Sequence, residues 1–319
     1  MFLKSLYARH FRNFDELAVD FTADINEVVG ANAQGKTSLL EALYFCLTGS
    51  SFRSAHLKDL IRHSHDRFFV EVTFEKQGVD HLLAVSYDGA VRRVFLNRAH
   101  CPSTTVLLGL MTGVAFTPGD VSLVKGAPAF RRRFLDLQIA QIDPLYVHHL
   151  SRYTKALKQR NALLRQKKAD TLFCWEAELA TSASYLVWKR RQAVQFLGQR
   201  AAHFFEKFII DKTQFDLHYS SAAMHIEEME ALRHHFVQEY ARKRGQELAY
   251  GMTLVGPHRD DLQILLNEKP FREFASEGQQ HLAAISLKLA EWHYLKEEAK
   301  DIPLMIIDDF AVSLDAARK

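Results

Sequence analysis

The sequence has few cysteines, no long hydrophobic run and no repeated or low-complexity segment, and each shortage excludes a class of protein. Its three cysteines are scattered and form no CxxC pair, which argues against a disulfide framework or a zinc site and fits a reducing compartment. No apolar stretch approaches the roughly 20 residues that a membrane-spanning helix needs. The first residues carry charges where a signal peptide would be apolar. We therefore expect a cytoplasmic protein.

The chain has the composition of an ordinary globular protein, and its 319 residues predict two domains of roughly 100–200 residues each. The net charge is only +3, but residues 121–200 contain 15 Lys and Arg against 5 Asp and Glu. This basic middle predicts a polyanion as partner, although solvated helix faces would explain the same count. Its clusters are Arg131-Arg132-Arg133, then Lys155, Lys158, Arg160, Arg165, Lys167 and Lys168, then Lys189-Arg190-Arg191.

The pattern of apolar residues predicts a sheet-rich part, a helical insertion and a return to the sheet. Apolar residues spaced by three and four predict helices within 128–245 and at 283–299. An Asp88-Gly89 pair predicts a hairpin turn. β-Formers predict strands at 2–8, 17–21, 68–74, 82–87, 91–96, 253–266 and 303–307. We assign the fold to the α/β class, with one lobe of residues 1–120 plus 300–319 and a largely helical lobe of residues 121–299.

Residues 30–37 match the phosphate-binding pattern GxxxxGK[ST]. Glycines let backbone N–H groups turn towards a phosphate, the lysine adds positive charge for the β- and γ-phosphates, and the threonine hydroxyl can bind Mg²⁺. A strand predicted at 25–29 and a helix predicted at 38–47 flank the loop, as the motif requires. The sequence therefore predicts a nucleotide site formed by Gly30, Ala31, Asn32, Ala33, Gln34, Gly35, Lys36, Thr37 and Ser38.

Two carboxylates follow a short apolar strand near the end of the sequence, in Leu304-Met305-Ile306-Ile307-Asp308-Asp309. A phosphate-binding loop needs a carboxylate on the metal side, at the end of a neighbouring buried strand. We predict that Asp308 orients Mg²⁺ together with Thr37, and that Asp309 positions or deprotonates the attacking water. A strand that ends in a solvated turn would show the same two residues.

A second motif, Ser276-Glu277-Gly278-Gln279-Gln280, precedes the predicted helix 283–299. A serine and a glycine at a helix start offer a hydroxyl, free N–H groups and the positive end of the helix dipole. An ordinary N-cap would look the same. The order of the motifs favours an ATP-binding-cassette head, whose signature serine reaches the γ-phosphate held by a second protomer. A nucleotide kinase or small GTPase does not need this motif.

The sequence resembles the RecF family of bacterial recombination mediator ATPases, in the SMC-like class of ATP-binding-cassette proteins, over essentially its whole length. The matching segments are residues 11–14, 30–43, 51–53, 116–136, 157–165, 256–262, 276–280 and 304–309. The resemblance implies a P-loop head with a mixed-sheet lobe, an inserted helical lobe and no long coiled coil.

The resemblance also implies roles for single residues. Lys36 and Thr37 look like the Walker A pair, Asp308 like the Walker B aspartate, and Asp309 like the catalytic acid. The signature motif is matched by Ser276, Gly278 and Gln279, the N-terminal nucleotide contacts by Arg12 and Asn13, and the D-loop aspartate by Asp315. For GPHRDDL at 256–262 no role follows: His258 and Arg259 could face a phosphate, or form a structural His–Asp pair.

The partners that the resemblance implies are ATP and Mg²⁺, a second copy of the chain bound in an ATP-dependent homodimer, and DNA. The DNA is duplex or gapped and is bound without regard to sequence. The family's role is to mark single-strand gaps with RecO and RecR so that RecA is loaded there, with slow, DNA-stimulated ATP hydrolysis.

This sequence departs from the family pattern at several positions. His281 stands where an arginine is usual, the D-loop reads VSLD at 312–315, and no Q-loop glutamine is evident near Pro118-Gly119-Asp120. We find no further strand or switch residue after Asp315, so we expect a shortened chain with reduced hydrolysis. Two alternatives remain open: a P-loop kinase with a small substrate, and a nucleotide-dependent assembly module that does not hydrolyse ATP.

Overall fold

The structure is a computed structural model that describes residues 1–209 and 213–309. It divides the chain into unit 1, Met1–Asp120 with Glu291–Lys319, and unit 2, Val121–Ala290. The first boundary coincides with the predicted one. The second boundary lies at residue 290, inside the helix Glu277–Ala299, instead of at the expected residue 299.

Unit 1 begins with a six-stranded antiparallel sheet in the order β2-β1-β3-β4-β5-β6. The strands are β1 (Phe2–Phe11), β2 (Phe14–Asp20), β3 (Phe68–Lys76), β4 (Val79–Tyr87), β5 (Arg92–Leu96) and β6 (Ala99–Cys101). Four apolar side chains of β3 alternate into the core, at positions 68, 70, 72 and 74, as a half-buried strand requires. The predicted hairpin between β4 and β5 is confirmed, with Gly89 at φ +83°.

Helix α1 (Lys36–Thr48) packs against this sheet. Its apolar residues reach the core, where Phe45 contacts Phe68 and Phe11 at ring-centroid distances of 5.4 and 6.4 Å. The helix ends at Gly49, whose left-handed backbone (φ +67°) lets its N–H bond the carbonyl of Phe45. Strand β7 (Gly113–Phe116) completes the part of unit 1 that precedes unit 2.

The strand predicted at 25–29 is wrong, because this segment has no regular structure. Ile25 and Val29 are 94% and 80% exposed, and no strand among the described residues pairs with them. The segment is instead folded locally, with the Asn26 side chain bonded to both the N–H and the carbonyl of Thr22. Asparagine competes in this way with strand pairing.

Unit 2 is built around α5, a 37-residue helix that packs against α4, α6 and strand β8. Its elements are α2 (Ser122–Lys125), α3 (Pro128–Ala140), α4 (Pro144–Arg165), α5 (Leu172–Phe208), β8 (Phe215–Ser220), α6 (Met229–Tyr250), β9 (Asp261–Leu266), β10 (Lys269–Pro270), α7 (Phe271–Phe274) and the first part of α8 (Glu277–Ala299), up to residue 290. Strands β8, β9 and β10 form a small antiparallel sheet.

The helical prediction for residues 128–245 holds for α3 to α6 and fails at β8. In β8, Phe215, Leu217 and Tyr219 are buried and alternate with less buried residues, which is the period of a strand. The strand predicted at 253–266 is reduced to β9, since residues 253–260 form bends and turns.

Unit 1 resumes at Glu291 and contains β11 (Leu304–Ile307), which pairs in parallel with β7. The backbone N–H of Asp308 extends this ladder by bonding the carbonyl of Phe116 at 2.9 Å. The predicted strand 303–307 is therefore confirmed, and its carboxyl end lies beside that of β7. Across residues 1–209 and 213–309, none of the helices combines the length and the apolar character needed to cross a membrane.

Candidate functional site

The predicted phosphate loop leads into α1 and wraps around its own lysine. The Lys36 ammonium donates to the carbonyls of Gly30 and Ala31, at 2.6 and 3.1 Å. Asn32 and Gln34 are exposed at the loop tip, whereas Ser38 is buried in the first turn of the helix. The first N–H groups of a helix have no intrahelical partner, so this helix start can bind an anion.

Gly35, which precedes α1, has a backbone that only glycine adopts without strain, with φ +102°. A Cβ there would lie 2.7 Å from the Asn13 amide nitrogen and from two atoms of the Phe14 ring. Asn13 therefore touches the phosphate loop, where the sequence placed a nucleotide contact.

Thr37 and Asp308, the two predicted metal ligands, are in direct contact although they are 271 positions apart. The Thr37 hydroxyl donates to Asp308 Oδ1 at 2.9 Å. Burial raises the pKa of Asp308 above its ordinary value, the nearby charge of Asp309 acts in the same direction, and the Thr37 hydrogen bond opposes both. A hydroxyl and a carboxylate oxygen are ligands that suit Mg²⁺.

Asp309, the predicted catalytic acid, follows β11 immediately and is exposed, with φ +39°. Its role remains a prediction, as does the assignment of Lys36. Asp315, the predicted D-loop aspartate, lies outside the described residues. At the end of the neighbouring β7, the Asp120 carboxylate accepts from the Thr117 backbone N–H at 2.6 Å. Parallel pairing puts this turn and Asp308 at the same edge.

Arg12, the other predicted nucleotide contact, is held by a carboxylate that the sequence analysis missed. Its guanidinium bonds both oxygens of Glu41, at 2.8 and 2.6 Å, and also the carbonyl of Asp59. Glu41 is fully buried and also accepts from the Ser51 hydroxyl, with Arg53 at 3.6 Å. The sequence does carry a signal for Glu41: it is the one acid in the apolar helix segment LLEALYF. A carboxylate buried by such neighbours needs a charged or hydrogen-bonding partner.

Beside the first turn of α1 lies a cavity of about 460 Å³. Three arginines line it, and each is paired with a carboxylate: Arg12 and Arg53 with Glu41, and Arg62 with Asp15. The lining residues are Arg12, Asn13, Ser38, Arg53, Asp59, Ile61, Arg62 and His63.

In unit 2, the signature segment forms the start of α8. The Gln279 side chain accepts from the Ser276 N–H at 2.8 Å, and the Ser276 hydroxyl accepts from the Gln279 N–H at 3.3 Å. This is a reciprocal cap of the helix. Ser276 and Gly278 are exposed, and a Cβ at Gly278 would meet no atom within 4 Å. The fold of this unit therefore does not itself require the glycine.

The GPHRDDL segment is a structural centre of unit 2. His258 contacts the Tyr153 hydroxyl at 2.5 Å and the carbonyl of Thr253 at 3.1 Å, and burial lowers the pKa of His258 to about 4. Asp260 accepts from the Tyr219 hydroxyl. The imidazole is thus bound by a tyrosine and a carbonyl, and the His–Asp pair considered from the sequence is wrong.

Many cations of the basic middle bond acceptors inside unit 2, so fewer are available to a partner than the charge count suggests. Arg160 is fully buried and bonds Glu176 and Glu247 at 3.0 and 2.6 Å. Arg190 is buried against Asp136. Three more arginines bond unit 2 acceptors: Arg131 the Asp261 carboxylate, Arg132 the carbonyl of Asp260, and Arg191 the carbonyls of Ala223 and Ile226.

A smaller set of cations remains available on α4. Lys155, Lys158 and Arg165 are exposed and form no ion pair with any described residue. Their spacing of three and seven residues puts them on one face of the helix. Lys167 and Lys168 follow directly and are also exposed. We call these five residues the α4 cation face.

Comparison with known proteins gives consistent matches. The sequence model of the RecF/RecN/SMC N terminal domain family matches residues 2–319. A DNA replication and repair protein RecF from Protochlamydia amoebophila is 42% identical over 320 residues, which cover all of this chain and 89% of the relative. The protein of the same name from Chlamydia abortus is 37% identical over 318 residues, covering all of this chain and 87% of that relative.

Solved structures agree with the sequence matches. The recombination mediator protein RecF-ATP of the RecFOR pathway superposes with a TM-score of 0.93 at 30% identity, covering 99% of this chain and 87% of that one. The Smc head domain of Pyrococcus furiosus, at 14% identity and a TM-score of 0.51, shows a shared fold alone. The ATP-binding-cassette type of head expected from the sequence is thus confirmed, and the chain belongs to the RecF family within the RecF/RecN/SMC group.

Proposed function

We propose that this chain is an ATP-dependent DNA-binding protein of recombinational repair. The observation that carries the proposal is the contact between Thr37 and Asp308, which joins the start of α1 to the carboxyl end of β11. A phosphate loop with a metal-side carboxylate in contact is the arrangement that nucleotide chemistry needs. The solved RecF relative bound to ATP supports the same assignment.

In this proposal each group has a separate task. The N–H groups at the start of α1 and the Lys36 ammonium hold the phosphates. Thr37 and Asp308 would hold Mg²⁺, which would supply positive charge to offset that of the phosphates. Asp309 orients the attacking water. Its side chain is one methylene shorter than the glutamate usual in ATP-binding-cassette heads, and slow hydrolysis follows from that.

The signature segment is assigned to the partner's nucleotide. Ser276 and Gly278 are exposed at a helix start, and open space surrounds Gly278. In an ATP-dependent homodimer, Ser276 of one protomer completes the γ-phosphate contacts of the other. ATP binding then joins two heads, and hydrolysis releases them.

DNA binding is assigned to the α4 cation face. Its side chains are exposed and form no ion pair with described residues, so they are available to phosphates, whereas the buried arginines of unit 2 are not. A helix face of lysines and arginines contacts the backbone and carries no sequence information. We therefore propose sequence-independent binding of duplex and gapped DNA, in a pathway with RecO, RecR and RecA.

The test is fluorescence anisotropy with a labelled duplex, with and without ATP–Mg²⁺, over a series of salt concentrations. The triple variant Lys155→Gln, Lys158→Gln, Arg165→Gln should lose affinity and lower the log–log salt slope by about 0.9 for each phosphate contact removed. The matched control removes three cations that are at least partly exposed and already ion-paired: Arg152, Arg233 and Arg242, each changed to Gln.

The control should keep the wild-type slope within error. Equal losses in both triple variants would show a general charge effect and contradict the proposed face. Phosphate release measured in parallel distinguishes an ATPase from an assembly module that binds ATP without hydrolysing it. ATP turnover stimulated by the duplex supports the ATPase, and binding with no turnover supports the assembly module.

A further inference from the structure

Two histidines and an aspartate meet on unit 1, outside the nucleotide site. His10 Nε2 lies 3.5 Å from Asp15 Oδ1, and His65 Nε2 lies 3.9 Å from the same oxygen. The two imidazole rings are stacked, with centroids 3.8 Å apart and an interplanar angle of 21°. The three ligand atoms all lie within 4.8 Å of one another.

The backbone brings the three side chains together by two connections. His10 and Asp15 lie on paired strands on either side of the turn between β1 and β2. Ile61 forms a bridge with Phe11, the last residue of β1. The next residue, Arg62, donates its N–H to the carbonyl of His10 at 2.8 Å, so the segment that follows is held at this end of β1. A turn closed by the His65 N–H and the Arg62 carbonyl then returns His65 over the His10 ring.

We propose that His10, Asp15 and His65 form a binding site for a divalent transition-metal ion, with Zn²⁺ as the best match. Around a tetrahedral Zn²⁺ the donor atoms are about 3.4 Å apart, because the metal–ligand bonds are about 2.0–2.2 Å long. The separations of 3.5 and 3.9 Å approach this value, and His65 is exposed enough for its ring to close the remaining distance.

The ligand set decides the chemical class of the ion. Two imidazole nitrogens and one carboxylate oxygen suit Zn²⁺ and its first-row neighbours. Mg²⁺ prefers oxygen ligands, so this site is distinct from the Mg²⁺ site assigned to Thr37 and Asp308. The scattered cysteines argued against zinc, but none of these three ligands is a cysteine.

Arg62 is the internal competitor of the ion. Its guanidinium bonds Asp15 Oδ1 at 2.6 Å, which is the oxygen that faces both imidazoles. Metal binding must displace this contact. Removing the Arg62 charge should therefore tighten metal binding, whereas a metal held elsewhere on the surface would not respond.

The experiment titrates Zn²⁺ into the full chain, freed of metal by chelation, by calorimetry in excess Mg²⁺. His65→Ala and Asp15→Asn should each weaken the site at least tenfold, and Arg62→Gln should strengthen it. His63→Ala is the matched control, because His63 is an exposed histidine two positions from His65 and is not one of the three ligands. Far-UV circular dichroism confirms that each variant is folded.

A second readout is Co²⁺, whose visible d–d absorption reports directly on its ligands. The band should be strong in the wild type and in His63→Ala, and lost in His65→Ala. The proposal is overturned if Zn²⁺ does not bind in excess Mg²⁺, if His63→Ala weakens binding as much as His65→Ala does, or if the Co²⁺ band is the same in both variants.

Discussion

Both the Thr37–Asp308 contact of unit 1 and the Arg160 cluster of unit 2 are built from polar and charged residues, but the two differ in how far their surroundings are buried. At the edge, Thr37 and Asp308 meet beside an exposed loop and an exposed second carboxylate, Asp309. In the centre, Arg160 bonds Glu176 and Glu247, and all three side chains are buried.

The difference in burial distinguishes side chains that are available to a ligand from side chains that only stabilise the fold. Hydrogen bonds from Arg244 and Arg160 keep the pKa of Glu176 below its ordinary value, although burial opposes this. At the edge, burial prevails and the pKa of Asp308 is raised. A carboxylate short of positive charge is the one prepared to receive a cation.

Removing Arg160, the common partner of two buried glutamates, should have the largest effect on stability. We expect Arg160→Ala to lower the free energy of unfolding by about 3–5 kcal/mol, because it leaves Glu176 and Glu247 buried without their common cation. Denaturant unfolding followed by circular dichroism measures it. Lys158→Ala, an exposed cation on the same helix, should change it by less than about 0.5 kcal/mol.

Equal effects of Arg160→Ala and Lys158→Ala would break the comparison, because enclosure would then not distinguish the two cations of α4. A loss of nucleotide binding in folded Arg160→Ala would break it in a second way. The centre of unit 2 would then be part of the site.

Burial of His258 in unit 2 should make the protein less stable as the pH falls. Burial lowers the pKa of His258 to about 4, below the ordinary value of 6.5. Between these values the unfolded chain binds a proton that the folded chain does not, so stability falls as pH drops, by up to about 1.4 kcal/mol per pH unit from this group. Unfolding midpoints measured from pH 7 to 4.5 test this.

His258→Gln is the comparison for that series, since other histidines also titrate. The variant will be less stable than the wild type at every pH. Its free energy of unfolding should change less steeply with pH, because it lacks the one proton that the unfolded wild type binds at His258. Parallel slopes would show that the pKa of His258 is the same in the folded and unfolded protein, contrary to the effect of its burial.

The two motif glycines should respond differently to a methyl group. We expect Gly35→Ala to destabilise the chain by about 1–3 kcal/mol, because its backbone is left-handed and its Cβ would overlap Asn13 and Phe14. Gly278→Ala meets open space, so its stability should change by less than about 0.5 kcal/mol. Thermal unfolding compares them, and a larger loss at Gly278 would contradict the packing described.

The elements that were predicted correctly are those whose residue pattern lies within a single segment of the sequence. The strands β1 to β5, the helices of residues 128–245 and the strand before Asp308 were correctly predicted, because alternation and helical periodicity were visible within each segment. The strand β7 was missed: it has only four residues, all buried, and its partner β11 lies far along the chain. No local signal specifies a parallel pairing over that separation.

Long-range contacts also explain what the sequence could not show about the sites. The phosphate loop and the two terminal aspartates were recognised as motifs, and the structure brings Thr37 to Asp308. Glu41 was missed because its significance depends on Arg12, which lies 29 positions away in the turn between β1 and β2. The number of available cations in the basic middle was overestimated because the acidic partners of Arg160 and Arg190 lie up to 87 positions away.

The central claim is that ATP joins two copies of this chain through Ser276, and light scattering tests it most directly. The mass should rise from one chain to two only with ATP–Mg²⁺ present. Lys36→Met should stay a monomer because it does not bind ATP, and Ser276→Arg should bind ATP but stay a monomer. A Ser276→Arg protein that dimerises with ATP would contradict the account, and so would a wild-type chain that stays a monomer with ATP bound.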